Sequence, residues 1–448
     1  MPNEASLGRV NPLFPRNLVP IVTASQAGVP EGLFFTDLNN LVPRFGFAFR
    51  PFADAKTVLR GAYGLYIDDL TSQLWRLGTG GPYVSSESFT NTITAGVAAF
   101  QFPRAFPAGF GAIGAQNFDA LDPHIRNPYI QQWNLTAERE AAGMGIRLSY
   151  IGTNSRQLSW SQNINQPPAG ERPFSNALRR YPNLRDIRFR QHGALHNYHS
   201  LHVVAERKTK GALHYQLGWV WAKNLTDAQS DSEQGSQPED AYNRTREYSN
   251  VGYTPRHRVT GTVLYALPVG RGRPWLSNLP APAELVLGGW ELSAIFVAET
   301  GQFFSPSFNG FDVSNTNVIG GRPDRVADGN LPASRRNIEG WFDVAGFRVP
   351  GDLNADGRPD VNVGRFGNSA PNVLVGPGVV DIAAGLHKQF RITEKFRAVL
   401  QGTFRNVVNH PNYGFPAANI RAANVGTIRG LNGQAGPRSG QVALRVEF

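Results

Sequence analysis

The chain has no cysteine and only two methionines among its 448 residues. Without cysteine, neither disulfides nor thiolate metal sites contribute to the fold. No uninterrupted apolar run reaches the ~20 residues that a transmembrane helix needs, and mean hydropathy is −0.31. Helical membrane spanning is therefore excluded. A membrane β-barrel is not, because its strands need only about 9–11 residues of alternating polarity. Acidic excess is also lacking: 44 Lys and Arg face 34 Asp and Glu, a formal charge of +10. The basic residues are scattered, with no compact motif or recognition helix, so no nucleic-acid partner is implied. A basic surface fits anionic lipopolysaccharide or an anionic solute better. The opening Met1-Pro2-Asn3-Glu4-Ala5-Ser6 lacks a basic n-region and an apolar h-region. No signal peptide is read there, and the chain looks like the downstream piece of a longer precursor.

What is present is glycine (48), proline (32) and phenylalanine (28), a composition for a loop-rich β protein with aromatic belts. The end of the chain is its most informative stretch. Val442, Leu444, Val446 and Phe448 fall on one face of a β-strand, and Ala443, Arg445 and Glu447 on the other, because strand side chains alternate with period two. A soluble protein seldom ends on such an edge, which invites aggregation. An outer-membrane barrel uses it to close the sheet, apolar residues toward lipid and polar ones toward the lumen.

Alternation bounded by turn residues gives about eleven strand candidates, near 43–52, 57–68, 129–139, 145–156, 198–208, 213–226, 257–268, 288–302, 379–391, 395–406 and 438–448. Their second faces carry Arg147, Ser149, His202, Glu206, His214, Gln216, Thr260, Thr262, Glu291, Ser293, Arg397 and Gln401, residues suited to a wet lumen and costly in lipid. Trp133, Trp219, Trp221 and Trp290 sit near strand ends or on apolar faces, as an interfacial girdle does. Connections alternate between short (53–56, 140–144, 209–212, 392–394) and long (69–128, 157–197, 227–256, 303–378, 407–437), with one short-side connection stretched from Pro268 to Leu287. Short periplasmic turns and long extracellular loops are the barrel asymmetry.

Several segments carry a family resemblance. They are Asn39 to Phe52 followed by Thr57-Val58-Leu59-Arg60-Gly61-Ala62-Tyr63-Gly64, and Pro128-Tyr129-Ile130-Gln131-Gln132-Trp133-Asn134-Leu135. Further on come Tyr265 through Leu267-Pro268-Val269-Gly270-Arg271-Gly272-Arg273 to Gly288-Gly289-Trp290-Glu291-Leu292-Ser293, and Phe404 to Gly414. In this order and spacing the chain resembles the barrel of TonB-dependent receptors of the Oar-like type. The resemblance implies an all-β, antiparallel transmembrane barrel of which this chain is the C-terminal part, about eleven strands or half of a 22-stranded whole. It also implies a plug domain, a TonB box and a signal peptide in the parent; no candidate for any of them is visible in these residues.

For chemistry, Asp352, Asn354, Asp356 and Asp360 form a D-x-N-x-D-G-x-x-D pattern around Gly357. Oxygen ligands at alternate positions suit Ca²⁺. Position twelve is Val363, so the loop is not an EF-hand, and a solvated Asx turn is the competing reading. His192, His196, His199 and His202 read as part of a loop leading into a strand, without a tight metal pair. Asp227, Asp231, Glu233, Glu239 and Asp240 read as a solvated acidic loop. No G-x-S-x-G elbow is present, no paired carboxylates are seen on neighbouring strands, and Gly270-Arg271-Gly272-Arg273 is a turn rather than a phosphate loop. No enzyme and no cofactor is expected beyond a loop calcium. The reading is a bacterial outer-membrane receptor barrel fragment, forming channel wall and ligand-capturing loops for an unknown solute. A non-transporting adhesin or structural surface barrel that binds a partner or glycan is the alternative. Expected partners are outer-membrane lipid, lipopolysaccharide and the barrel-assembly machinery, the last through the strand ending at Phe448, with TonB reached only through the upstream part.

Overall fold

The computed structural model describes residues 22–68, 92–98, 117–208, 212–229, 237–391, 393, 396–433 and 435–448. Eleven strands form one antiparallel meander, each paired to its neighbours in sequence. They are β1 (Arg44–Phe49), β2 (Thr57–Ile67), β3 (Tyr129–Ala141), β4 (Met144–Asn163), β5 (Ile187–Arg207) and β6 (Leu213–Thr226). β7 (His257–Ala266), β8 (Trp290–Glu299), β9 (Val379–Arg391), β10 (Arg397–Arg405) and β11 (Ser439–Glu447) complete the series. Two short strands join the same sheet off this path: Phe118–Leu121, parallel to β5, and Ser249–Asn250, antiparallel to β6. Every segment expected from alternation is a strand. The short connections at 209–211, 392 and 394–395, and most of 69–128, lie outside the described residues.

The register stitches the alternating residues into one apolar face that crosses the whole sheet. One row runs Phe47, Gly61, Leu135, Tyr150, Leu201, Trp221; another runs Trp219, Val259, Ala298, Val380. A third ends the sheet as Leu292, Leu386, Gly402, Val442. On the last strand Val442 is 71 %, Leu444 67 % and Val446 53 % exposed, and Phe448 is 95 % exposed. Helices do not cover this face among the described residues, apart from one short turn treated below. A row of large apolar side chains left outside a sheet is stable only against lipid.

Aromatic rings on this face lie across glycines of the paired strand. A Cβ on Gly61 would stand 2.4 Å from the Phe47 ring, one on Gly152 2.2 Å from Trp133, one on Gly261 2.2 Å from Phe296, and one on Gly440 2.5 Å from Phe404. In each case ring and glycine are register partners. The ring thus covers backbone that the glycine leaves bare, pinning register where alternation alone would allow a slip by two.

Two paired strands outrun their expected bounds. β4 and β5 continue past 156 and begin before 198, so the connection 157–197 is mostly a tall hairpin. Pairing runs from Ser155 with His196, through an irregularity, into Leu158 with Ala194 and on to Asn163 with Arg188. Gln157 (φ 58°) and Gly193 (φ 144°) provide the kink. A bulge resets the parity of alternation, which is why the sequence pattern fades there. At ~3.3 Å per residue a twenty-residue strand reaches roughly 66 Å, twice the ~30 Å hydrocarbon layer. The hairpin therefore stands well above the membrane.

Strand directions follow from the meander. β1 and β11 both end on the side of the short turns, so the two edge strands run the same way. Among the described residues neither edge has a second partner, and the sheet is open.

Candidate functional site

The long-loop side is not a fringe of separate loops but a folded cap. Residues 303–378 carry its apolar centre: Phe304, Phe342, Phe347 and Leu374 pack together, flanked by Trp341, Val344, Val373, Ala418, Ile420 and Val425. Phe304 meets Phe342 edge-on at 5.9 Å, and Phe342 meets Phe347 likewise at 6.1 Å. A second cluster joins Phe308, Val313 and Val349. Segments from 303–378 and 407–437 thus share one core, worth about 1.5–3 kcal/mol for each large side chain removed from water.

A buried ionic clasp ties this body to the 227–256 loop. Arg322 donates through Nη1 to Glu247 Oε2 (2.8 Å) and through Nη2 to Glu247 Oε1 (2.7 Å). Its Nη2 also lies 3.1 Å from Glu239 Oε2, and its backbone amide donates to Glu239 Oε1 at 2.7 Å. Arg246 reaches the same Glu239 at 3.5 Å, donates to the Gly367 carbonyl, and lies over the Phe366 ring. Gly321 is required here: its φ is 135°, and a Cβ would stand 2.0 Å from Glu239 Oε1. Burial raises the Glu239 carboxyl above its ordinary value, against the pull of Arg322 and Arg246. Burial also lowers the Arg246 guanidinium, with Glu239 opposing.

Polar side chains extend the clasp. Asn372 donates through Nδ2 to Gln229 Oε1 and to the Asn250 carbonyl, both at 2.8 Å. Gln166, on the tall hairpin, donates to the Glu239 carbonyl at 3.0 Å and accepts from the Ala241 amide at 2.7 Å. Asp227 accepts from the Leu195 amide at 2.7 Å and pairs with Arg244 at 3.1 Å, while Arg244 stacks on Trp160. Burial raises the Asp227 carboxyl, with the Leu195 amide and Arg244 opposing. The expected solvated acidic face is therefore corrected: Asp227 and Glu239 are buried structural anions. Asp231 and Glu233 lie outside the described residues. Glu247, Arg244 and Arg322 were not singled out from sequence; their partners are distant in the chain and no local pattern marks them.

At the Asp-rich loop, Asp352 accepts from the amides of Ala355 (2.7 Å) and Gly357 (2.9 Å). Asp360 accepts from Leu353 (2.7 Å), Asn354 (3.3 Å) and the Asn354 side chain (3.1 Å). Asn354 accepts from Asp356, and Asp356 from Arg358. The four residues are thus brought together, with their oxygens turned to local amides. No group of three or more His, Asp or Glu is arranged for a metal among the described residues. The four histidines sit within β5 itself rather than in a loop. His199 shares the apolar face and bonds Tyr150 Oη at 2.7 Å, whereas His202, on the other face, meets Ser200 Oγ at 3.0 Å.

The wall's second face is laced with ion pairs, Arg60 with Glu138 at 2.9 Å and Arg258 with Glu299 at 3.7 Å, and with a hydrogen bond between His387 and Glu291 at 2.8 Å. Along β7–β11 this face forms a concavity of about 490 Å³ lined by Thr262, Ser293, Ala383, Thr403 and Gln441 together with Leu264 and Ile295. Carboxylates here and in the clasp are engaged by cations and amides. The arrangement can hold and screen a solute.

No curated protein matches the chain. Solved structures that it is similar to include the outer membrane transporter YddB from Escherichia coli (8 % identity, TM-score 0.47, 91 % of this chain and 40 % of that one). Others are the FrpB iron transporter from Neisseria meningitidis (10 %, 0.38, 91 % and 39 %) and the siderophore receptor PiuA from Acinetobacter baumannii (8 %, 0.40, 90 % and 35 %). The chain spans two fifths or less of the length of these proteins. A family model described as outer membrane beta barrel domain matches residues 3–441. With its two-faced antiparallel sheet, the chain belongs to that family, the outer membrane β-barrel domains, and is a component of the bacterial outer membrane.

Proposed function

We propose that the chain is the C-terminal part of a TonB-dependent, receptor-like barrel, whose wall and cap conduct and capture a solute. One observation carries this reading. The sheet has a lipid face and a charge-laced lumen face, and its outer loops are folded into a preorganised cap rather than left as flexible tethers. A rigid cap holds contacts in place at low entropic cost.

Strand parity supports the fragment reading. β1 and β11 run the same way, so antiparallel closure needs an odd number of further strands between them. Two copies rotated about the membrane normal would meet only along parallel seams. Among the described residues the outer edges of β1 and β11 have no second partner; an unpaired edge is untenable in lipid, and in the fragment reading further strands of the parent, where a plug and TonB box would also reside, supply it.

The test is removal of the parent gene, followed by profiling of solutes consumed from the medium. Loss of uptake of one solute class, restored by the intact gene and by none lacking the cap, is the expected result. Unchanged uptake with lost surface attachment would instead establish the adhesin reading.

A further inference from the structure

The stretched short-side connection 268–289 carries a feature that pore formation does not use. It contains a small loop closed by a parallel bridge, in which the Trp275 amide donates to the Pro268 carbonyl and the Gly270 amide to the Trp275 carbonyl, followed by a helix of about two turns, α1 (Ala281–Leu287). The helix sits against the lipid face of the wall. Lys388 and Trp290 are register partners on that face, and both point at the helix's last carbonyls. Lys388 Nζ donates to the carbonyls of Glu284 (3.3 Å) and Leu285 (2.6 Å), and Trp290 Nε1 donates to Val286 at 2.8 Å. The carbonyls of Leu285 and Val286 are among those a helix end leaves without internal partners, whereas that of Glu284 also accepts from the Gly288 amide; a cation there suits the helix dipole. The same contacts bury Lys388 to 4 %, giving a cation on a lipid-facing strand the partners it needs.

Around this joint the large side chains stand in the open. Trp275, Leu276, Leu285, Val286 and Leu287 are each about half exposed or more. Leu276 adopts φ 55°, a left-handed conformation uncommon for a leucine. The helix's one charge, Glu284, is turned inward to the Arg271 amide (3.0 Å). Outward charge is basic only, from exposed Arg271 and Arg273. Apolar side chains beside exposed arginines, continuous with a lipid-facing wall, form an interfacial anchor.

We propose that residues 268–289 are a membrane foot: Trp275, Leu276 and Leu285–Leu287 dip into the periplasmic leaflet, while Arg271 and Arg273 lie at phospholipid phosphates. This rests on the outer-membrane placement and on the short turns facing the periplasm. What covers these side chains is the phospholipid surface, not an upstream domain of the chain.

The absence of cysteine makes any introduced thiol unique within these residues. Val286→Cys and, independently, Leu276→Cys are labelled with an environment-sensitive fluorophore in the intact parent barrel, any cysteine outside this chain replaced by serine, in vesicles of phosphatidylethanolamine and phosphatidylglycerol. Leu444→Cys reports the wall in lipid and Asn354→Cys the cap in water. The expected result is a blue shift at 286 and 276, with quenching by doxyl-labelled lipid and protection from iodide, as at 444. Iodide quenching at 286 and 276 while 444 remains in lipid overturns the foot alone. Iodide quenching at 444 as well overturns the membrane placement, and the foot with it. Protection from both quenchers at 286 and 276 means protein covers them, which also overturns the proposal.

Discussion

The wall and the cap use the same residues toward opposite solvents. Leu444 on the last strand is 67 % exposed, whereas Leu374 in the cap is fully buried. Phe47 lies open on its strand while Phe347 is sealed among other rings. In the wall, hydrogen bonding is satisfied by the ladder and the medium supplies the apolar partner. In residues 303–378 and 407–437 no ladder of comparable length exists among the described residues, so aromatic packing and the Arg322 clasp fix the loops in water. Burial therefore marks the folded core of the cap and says little about the wall, whose apolar face is buried only once lipid is present.

The largest expected effect belongs to the cap. Arg322→Ala leaves Glu239 and Glu247 buried without their shared guanidinium; stranding a buried charge costs about 3–5 kcal/mol. Limited proteolysis on vesicles should then cut residues 227–256 and 303–378, while heat-modifiable gel migration of the wall survives. Simultaneous loss of both would show that the two regions are one cooperative unit. Next is the wall. Leu217→Arg, on the lipid face, should cost about 2–4 kcal/mol, whereas Gln216→Arg, one residue away on the lumen face, should cost little. Urea titration of vesicle-bound protein reads the difference, and equal costs would erase the two-faced reading. Gly152→Val places a Cβ where the Trp133 ring lies, with an expected cost of about 1–3 kcal/mol from overpacking. The companion change Trp133→Ala should relieve most of it in a double-mutant cycle.

The Asp-rich loop ranks below these. Asp360→Ala removes an acceptor from two amides and the Asn354 side chain, a loss of about 1 kcal/mol. Calcium, expected from the ligand pattern, has to take these oxygens from their amides. Added calcium should protect the wild-type loop from protease but not the Asp360→Ala loop. Lack of protection in the wild type would remove the ion from the account.

Legibility in the sequence followed the physics of each region. Strands of the wall were legible because a period of two repeats in Val442, Leu444 and Val446 just as in Phe45, Phe47 and Phe49, with no tertiary information needed. Legibility failed first at Gln157 and Gly193, where a bulge shifts parity and hides the upper half of a hairpin. It failed in the cap, because Arg322 lies 75 residues from Glu247 and no spacing rule links them. Asp227 and Glu239 read as solvated for the same reason: charge composition is local, while the arginines that permit their burial are not. The 268–287 connection was visible as an anomaly of length, a turn at Gly270 to Arg273 and a segment of the family resemblance, but not as a membrane contact. Its role depends on Lys388, a hundred residues downstream.

The smallest expected effect is on pH dependence, and it separates the regions by sign. Burial raises the Glu239 carboxyl above its ordinary value of 4.5, and that of Asp227 above 3.8. The folded cap therefore holds these protons at a pH where the unfolded loops have released them. Their contribution to stability is fully present below the ordinary values and is lost as pH rises through the raised ones. Acidification from neutral into that window should leave the cap at least as resistant to protease, opposite to the usual salt-bridged carboxylate, whose stabilisation fades in acid. Glu239→Gln removes that carboxyl's part of the dependence and leaves Arg322 its bidentate hold on Glu247, so the variant should keep its cap with a shallower slope. A cap that opens on mild acidification would mean that the Coulomb pull of Arg322 and Arg246, rather than desolvation, governs Glu239.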